Sequence, residues 1–116
     1  MNEENTLLSY EKAAQLLGIE ERRIKQLIRD HILFYVYDEN GKRVIPAEII
    51  VQSSYGWEPL LNLSGTLTVL ADCGFTIDES SRWLYTVNDE LGETPLEALL
   101  AGRHHRVNNI ARLLGF

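Results

Sequence analysis

Residues 9–46 read SYEKAAQLLGIEERRIKQLIRDHILFYVYDENGKRVIP, and the spacing of apolar residues changes within them. In residues 10–17 and again in residues 20–30, apolar side chains recur every three or four positions, which is typical of amphipathic helices. Ser9 can accept a hydrogen bond at the start of the first helix, and Gly18 is suited to its end. Two short helices joined by a glycine-bearing turn of about three residues form a helix-turn-helix pattern.

The stretch after the second helix, residues 33–46, changes to a period of two and predicts a β-hairpin that Pro46 closes. Asn40-Gly41 tolerates the positive φ angles of a type I′ turn, so we expect a two-residue loop. This loop fixes a register in which Tyr37 faces Val44 and Val36 faces Ile45. The same register pairs opposite charges beside the turn, Glu39 with Lys42 and Asp38 with Arg43. The apolar side chains expected to share the core face are Phe34, Val36 and Ile45.

Residues 52–59, QSSYGWEP, are polar and contain glycine and proline, which predicts a joint between two parts of the chain. Helical signals follow the joint. The candidate N-terminal caps are Ser64, Thr76 with Glu79, and Thr94 with Pro95 and Glu97. Gly102 is expected to end the third of these helices. The apolar stripe of a last helix is formed by Val107, Ile110, Leu113 and Leu114.

These patterns predict a mainly α (α+β) protein in two domains. Residues 6–51 would form a winged helix-turn-helix whose single hairpin wing is the only sheet. Residues 58–116 would form a C-terminal bundle of about four short helices, used for packing, dimerisation or partner binding.

The second helix carries four of the eleven basic residues of the chain within residues 18–29, although the net charge is −6. At 100° per residue, Ile24, Leu27 and Ile28 fall on one side. The opposite arc, about 100° wide by the same geometry, carries three cations and an amide. Its members are Arg22, Lys25, Gln26 and Arg29. This arc is either the solvated face of an amphipathic helix or a surface for a polyanion.

Three features favour the polyanion. The arc has a single sign of charge, its helix is the second of a tight pair, and the wing carries Lys42 and Arg43 near its tip. In winged helix-turn-helix proteins the second helix enters the major groove of double-stranded DNA and flanking elements contact phosphates. We therefore expect Arg22, Lys25, Gln26 and Arg29 in the groove, with Arg29 and Arg22 at base edges. The phosphate contacts are expected from Lys42, Arg43, Lys12 and Arg23.

Composition argues against several other classes of protein. No run approaches the roughly 20 apolar residues of a membrane span, and no apolar segment that would mark a secretory signal follows the acidic MNEENT. One cysteine, Cys73, cannot form an internal disulfide and is expected to be a buried structural thiol. His104 and His105 are adjacent and diverge on a helix, so no metal site is expected. We predict a cytoplasmic protein without cofactor, catalytic residues or enzymatic activity.

Residues 9–50 resemble the winged helix-turn-helix of excisionase- and MerR-type DNA-binding modules. The segment SGTLTVLADCGFTIDESSRWLYTVNDELGETPLEALLAGR resembles the C-terminal helical region of small actinobacterial-type winged-helix transcriptional regulators. Its specific features include Gly65, the Trp83-Leu84 pair, Gly92 and Gly102. The resemblance implies sequence-specific DNA binding by the first half and no enzymatic activity.

The stretch WLYTVNDELGETPLEALLAG is also similar to the toxin-binding segment of Xre/MbcA/ParS-type antitoxins. That similarity implies an alternative, a protein-interaction module that binds a partner protein through its C-terminal helices. The residues that would form such a surface are Trp83, Leu91 and Leu96. Trp57, in the predicted joint, is a further candidate contact, either within the protein or between two chains of a homodimer.

Overall fold

A computed structural model describes residues 6–115, which form two compact units, one extending to Leu61 and the other starting at Asn62. The first unit combines two helices with two small antiparallel sheets, and the second unit is helical. The architecture of the described residues is therefore α+β, as the sequence pattern predicts.

The first unit contains the predicted helix-turn-helix. Helix α1 (Tyr10–Leu17) begins where the Ser9 hydroxyl accepts the Lys12 N–H at 3.1 Å. It ends at Gly18, whose φ of +71° allows the chain to reverse while its N–H donates to a carbonyl of the last turn. Helix α2 follows at Arg22–Arg29, so it begins later than the predicted Glu20. Both end signals of α1 are confirmed.

Three short strands form a sheet in the order β1-β3-β2. Strand β1 is Leu7–Leu8, β2 is Val36–Tyr37 and β3 is Arg43–Pro46. Both neighbours of β3 run antiparallel to it, with Leu8 opposite Ile45 and Val36 opposite Val44. As the central strand, β3 buries Val44 and Ile45 on successive positions, so both of its faces are covered.

The predicted register of the wing is wrong by one residue. Tyr37 faces Arg43 and Val36 faces Val44, so Ile45 does not share a face with Val36. The reason lies in the loop, where the Gly41 N–H donates to the Asp38 carbonyl and Gly41 has a φ of +79°. This is a three-residue loop with a left-handed last position, not a two-residue type I′ turn. The Asp38 carboxylate also accepts the N–H groups of Asn40 and Lys42, so it serves the loop instead of pairing with Arg43.

The wing is not the only sheet, and the predicted joint is a second hairpin. Strands β4 (Ile50–Ser53) and β5 (Gly56–Pro59) pair in register, with Gln52 opposite Trp57. The Ser53 hydroxyl closes the turn by donating to Glu58 at 2.6 Å and to the Gly56 carbonyl at 3.1 Å. This hairpin belongs to the first unit and packs against α1.

The second unit contains helices α3 (Leu63–Asp72), α4 (Ile77–Leu84), α5 (Pro95–Leu100) and α6 (His104–Arg112). Complete capping boxes start α4 at Thr76 and α5 at Thr94, and both predictions are confirmed. Ser64 is not a cap, because α3 already includes it and begins after Asn62. Gly102, with a φ of +85°, ends α5 as predicted.

The core of the second unit is mainly apolar, but it also contains Ser80 and Ser81 of α4 and a polar contact between α3 and α6. Thr66 is fully buried and its hydroxyl donates to the Asn108 side-chain oxygen at 2.5 Å. The apolar residues of this core include Leu67, Leu70, Leu84, Leu99, Val107 and Ala111. The predicted stripe on the last helix holds only at its start. Leu113 is 68% exposed and Leu114 is also exposed, because the chain tightens into a 3₁₀ turn at Leu113–Gly115.

Candidate nucleic-acid interface

Helix α2 separates its apolar and basic residues as the 100° spacing predicts. Ile24 is fully buried and Ile28 is 7% exposed, so this side anchors the helix in the first unit. The side chains on the remaining surface are exposed at Arg22, Arg23, Lys25 and Arg29, and half-buried at Gln26. The helix therefore presents cations to solvent from its first residue to its last.

Several of these side chains are held by neighbours on the same segment. Arg29 donates to the Gln26 side-chain oxygen at 2.8 Å, and the Gln26 amide nitrogen donates to Asp30 at 3.0 Å. Arg22 forms an exposed ion pair with Glu20 at 3.1 Å. Both ends of the Gln26 amide are thus engaged, and one nitrogen of Arg29 has a fixed direction.

The wing adds a cation that aromatic rings hold in place. The Arg43 guanidinium lies 4.5 Å from the centre of the Tyr35 ring, and Tyr35 meets Tyr37 edge to face at 5.5 Å. A side-chain hydrogen bond with Tyr37 raises the pKa of Arg43, and the nearby Tyr35 adds to this effect. Arg43 is therefore oriented by Tyr35 and Tyr37, which lie two positions apart in the chain.

Helix α2 and the wing meet at a cleft of about 300 Å³. It is lined by Tyr10, Lys25, Ile28, Arg29, Tyr35 and Arg43. Partial burial raises the pKa of the Tyr10 hydroxyl, so at neutral pH this hydroxyl is protonated and can donate a hydrogen bond. The described lining residues include three cations and no carboxylate, and this gives the cleft a positive character.

Lys42 and Lys12, the other predicted phosphate contacts, lie outside this cleft. Lys42 lines a neighbouring cleft together with Arg43, Glu11 and Glu21. Lys12 is exposed on α1, where its backbone N–H is bound by Ser9. The structure thus brings Lys25, Arg29 and Arg43 together, and places Lys42 in a separate cleft that Arg43 and two carboxylates also line.

Comparison with known proteins agrees with this geometry. Residues 1–50 match the family model described as "DNA-binding protein Rv2175c, wHTH domain", and residues 60–115 match "Rv2175c C-terminal domain of unknown function". The chain is therefore similar to Rv2175c-type proteins in both of its parts, and its first part matches a winged helix-turn-helix DNA-binding domain. The solved NMR structure of Rv2175c is similar to it with a TM-score of 0.81 and 25% sequence identity. That similarity covers 100% of this chain and 85% of the other. No curated protein sequence matches significantly.

The Rv2175c-type match supports the winged helix-turn-helix resemblance but not a specific excisionase, MerR or antitoxin relationship. Among the predicted partner contacts, Leu96 is 1% exposed and belongs to the core, so it is not available to a partner. Trp83 and Leu91 are half-buried, while Trp57 is 42% exposed on β5. The sequence reading missed Tyr55, which is 96% exposed in the turn between β4 and β5.

Other chemistry is not assembled in the described part of the chain. Residues 6–115 contain no group of three His, Cys, Asp or Glu side chains placed to hold a metal ion. Cys73 is half-buried instead of fully buried, and its thiol contacts the Ala111 carbonyl at 3.5 Å. Among the described helices, none has the length and apolar character needed to span a membrane.

Proposed function

We propose that this protein is a non-enzymatic transcriptional regulator that binds double-stranded DNA through α2 and the hairpin wing. The observation that carries the proposal is the exposed basic side of α2, which continues into a cleft closed by Arg43 of the wing. An amphipathic helix needs only a solvated face, but it does not need an oriented arginine from a separate hairpin beside that face. The wHTH family match supports the same function.

In this proposal α2 lies in the major groove with Arg29 and Arg22 at base edges. Arginine forks to guanine through two parallel hydrogen bonds, and its direction decides whether both can form. Gln26 already holds Arg29, so its main task is to orient that arginine, and direct reading of adenine is secondary. Lys25 has a charge suited to either a base or a phosphate.

Phosphate contacts are assigned to Arg43 and Lys42 of the wing, to Lys12 of α1 and to Arg23 of α2. Contacts of this kind fix the register of the protein on the duplex and make affinity depend on salt. The helical second unit would then pair two copies or bind a partner protein. A pair would place two α2 helices on half-sites about one helical turn of DNA apart.

The test is binding of fluorescent duplexes, selected from a random pool, at several salt concentrations. The expected result is an affinity that falls steeply with salt, with a slope near −0.9 for each phosphate contacted. The variant Arg22→Ala/Arg29→Ala should abolish the preference for the selected duplex. Arg112 is an exposed arginine of α6, and Arg112→Ala is the control. It should change neither the salt dependence nor the preference for the selected duplex. Binding that is independent of salt and of Arg22 and Arg29 would exclude this proposal.

A further inference from the structure

We propose that the cleft between α2 and the wing is a preformed seat for one phosphodiester group, with Arg43 as its central donor and Tyr35 and Tyr37 as positioning residues. The inference rests on the proposed function, and it goes further by naming one chemical group at one place. It also separates Arg43 from Lys42, which sequence reasoning treats as equivalent wing cations.

The lining of the cleft has the chemistry that a phosphodiester needs. Lys25, Arg29 and Arg43 supply positive charge from two different elements, and Tyr10 adds a hydroxyl at the start of α1. A phosphodiester carries one negative charge and accepts several hydrogen bonds, so converging charged donors bind it better than isolated ones. Ile28 contributes an apolar wall, which lowers the local dielectric and strengthens these interactions.

The Arg43 guanidinium is already oriented, as Arg29 is by Gln26, but aromatic side chains hold Arg43 in place. The Arg43 Cζ lies over the Tyr35 ring, 4.5 Å from its centre, and Arg43 also has a side-chain hydrogen bond with Tyr37. A guanidinium has five N–H donors at its edge, so donors remain for a phosphate. Rotational freedom that Arg43 has lost before DNA arrives is not lost again on binding. Tyr35 and Tyr37 thus act through Arg43 and need not touch DNA.

Lys42 provides an internal comparison. It is adjacent in sequence and also a cation, but it does not line the cleft that Arg43 shares with Lys25 and Arg29. It lines the neighbouring cleft, which Arg43 also borders, together with Glu11 and Glu21. Lys42 therefore lacks the α2 cations that would share a phosphate with it, and it should contribute less to phosphate binding than Arg43. Lys42→Ala is therefore the matched control for Arg43→Ala, since both remove one cation from the wing.

The experiment measures duplex affinity and its salt slope for Arg43→Ala, Lys42→Ala, Tyr35→Leu, Tyr35→Phe and Tyr37→Phe. Arg43→Ala should lower affinity about tenfold and reduce the salt slope by about one charge. Tyr35→Leu should lower affinity roughly twofold to tenfold and leave the slope unchanged, because the cation remains but must be ordered on binding. Tyr35→Phe keeps the ring and should bind as the parent does. Lys42→Ala should lower duplex affinity less than Arg43→Ala does.

A double-mutant cycle identifies the positioning role. In the Arg43→Ala background, Tyr35→Leu and Tyr37→Phe should cause no further loss of affinity. Tyr35 is buried, so thermal melting must show that Tyr35→Leu is folded, and Tyr37→Phe gives the same test at an exposed ring. Additive losses in the cycle, or equal effects of Lys42→Ala and Arg43→Ala, would overturn the proposal while leaving DNA binding established. If the parent protein binds no duplex, the proposed function itself fails.

The source of the phosphate can be resolved by NMR of the Arg43 side chain. A short duplex should shift the Arg43 Nε–H signal, and inorganic phosphate at matched ionic strength should shift the same signal more weakly. A shift by inorganic phosphate with none by duplex would assign the seat to a free anion and contradict its role on DNA.

Discussion

Arg29 donates a hydrogen bond of 2.8 Å to Gln26 one turn earlier on α2, and Gln26 in turn donates to Asp30 at 3.0 Å. The neutral amide of Gln26 thus lies between a cation and a carboxylate. Its oxygen accepts from Arg29 and its nitrogen donates to Asp30. Arg29 and Asp30 are adjacent in sequence but point to different parts of the helix surface. The amide fixes one guanidinium nitrogen of Arg29 and leaves its other donors for a ligand.

This network predicts different effects of two substitutions on DNA recognition. Arg29→Ala should cost about 1–3 kcal/mol of binding free energy and relax base preference at one position of the site. Gln26→Ala should cost less, about 0.5–1.5 kcal/mol, because only the orientation of Arg29 is lost. The measurement is competition between the selected duplex and single-base variants of it.

The control for this pair is Arg112, which donates to the Asn109 side-chain oxygen at 3.0 Å with the same three-residue spacing. Arg112→Ala removes an equivalent arginine–amide pair from the second unit and should leave base preference unchanged. A preference that survives Arg29→Ala would show that this arginine does not read the site.

A second prediction concerns the loop of the wing. Asp38→Ala removes the acceptor for two backbone N–H groups, those of Asn40 at 2.8 Å and Lys42 at 2.9 Å. The expected loss is about 1 kcal/mol of unfolding free energy for the first unit, measured by urea denaturation. Glu39→Ala changes a neighbouring exposed carboxylate of the same loop and should alter stability little. Equal losses of unfolding free energy in both variants would mean that the negative charge of the loop stabilises the first unit, and that the hydrogen bonds of Asp38 do not.

Local end signals were readable from sequence because a cap and its target lie within a few residues. Ser9, Thr76 and Thr94 all behave as predicted for this reason. The wing register was not readable, because Asn40-Gly41 suits two loop types and the Asp38 side chain selects between them. Residues 52–59 were misread as a joint, although Ser53 and Gly56 belong to a paired hairpin, because polar turn residues also mark linkers.

The candidate site was only partly readable for a similar reason. Helical periodicity identifies which side of α2 is basic, but it says nothing about what lies opposite. The contact of Arg43 with Tyr35 joins β3 to the residue just before β2, and it depends on a strand register that was predicted wrongly from sequence. A usable signal did exist, since tyrosines at alternate positions 35 and 37 share one face of an extended chain. Tyr10 could be found only from the packing of α1.

A third prediction tests the buried polar contact of the second unit. Thr66 is fully buried and donates to Asn108 at 2.5 Å. Asn108→Ala removes this acceptor and should cost about 1–3 kcal/mol of unfolding free energy. Thr66→Val should cost less, because half-buried Asn108 can turn to water. The double variant Thr66→Val/Asn108→Leu removes both polar groups and should recover part of the loss, as measured by thermal unfolding. A double variant less stable than Asn108→Ala would point to overpacking between α3 and α6.

A fourth prediction is a pH dependence that comes from the second capping box. The Thr94 backbone N–H and hydroxyl both donate to Glu97, at 2.8 Å and 3.0 Å, and these bonds lower the pKa of its carboxyl. A carboxylate whose pKa is lower in the folded state stabilises the fold above its unfolded pKa, and this contribution is lost as the pH falls through the folded pKa. Glu97→Gln should therefore be less stable than the parent at pH 7, and the difference should shrink on acidification below about pH 4. Urea denaturation at pH 7 and pH 3 measures this difference in unfolding free energy. Glu39→Gln is the control, and its difference from the parent should not depend on pH in this way. A Glu97→Gln deficit that is the same at both pH values would show that the charged form of Glu97 contributes nothing to the cap.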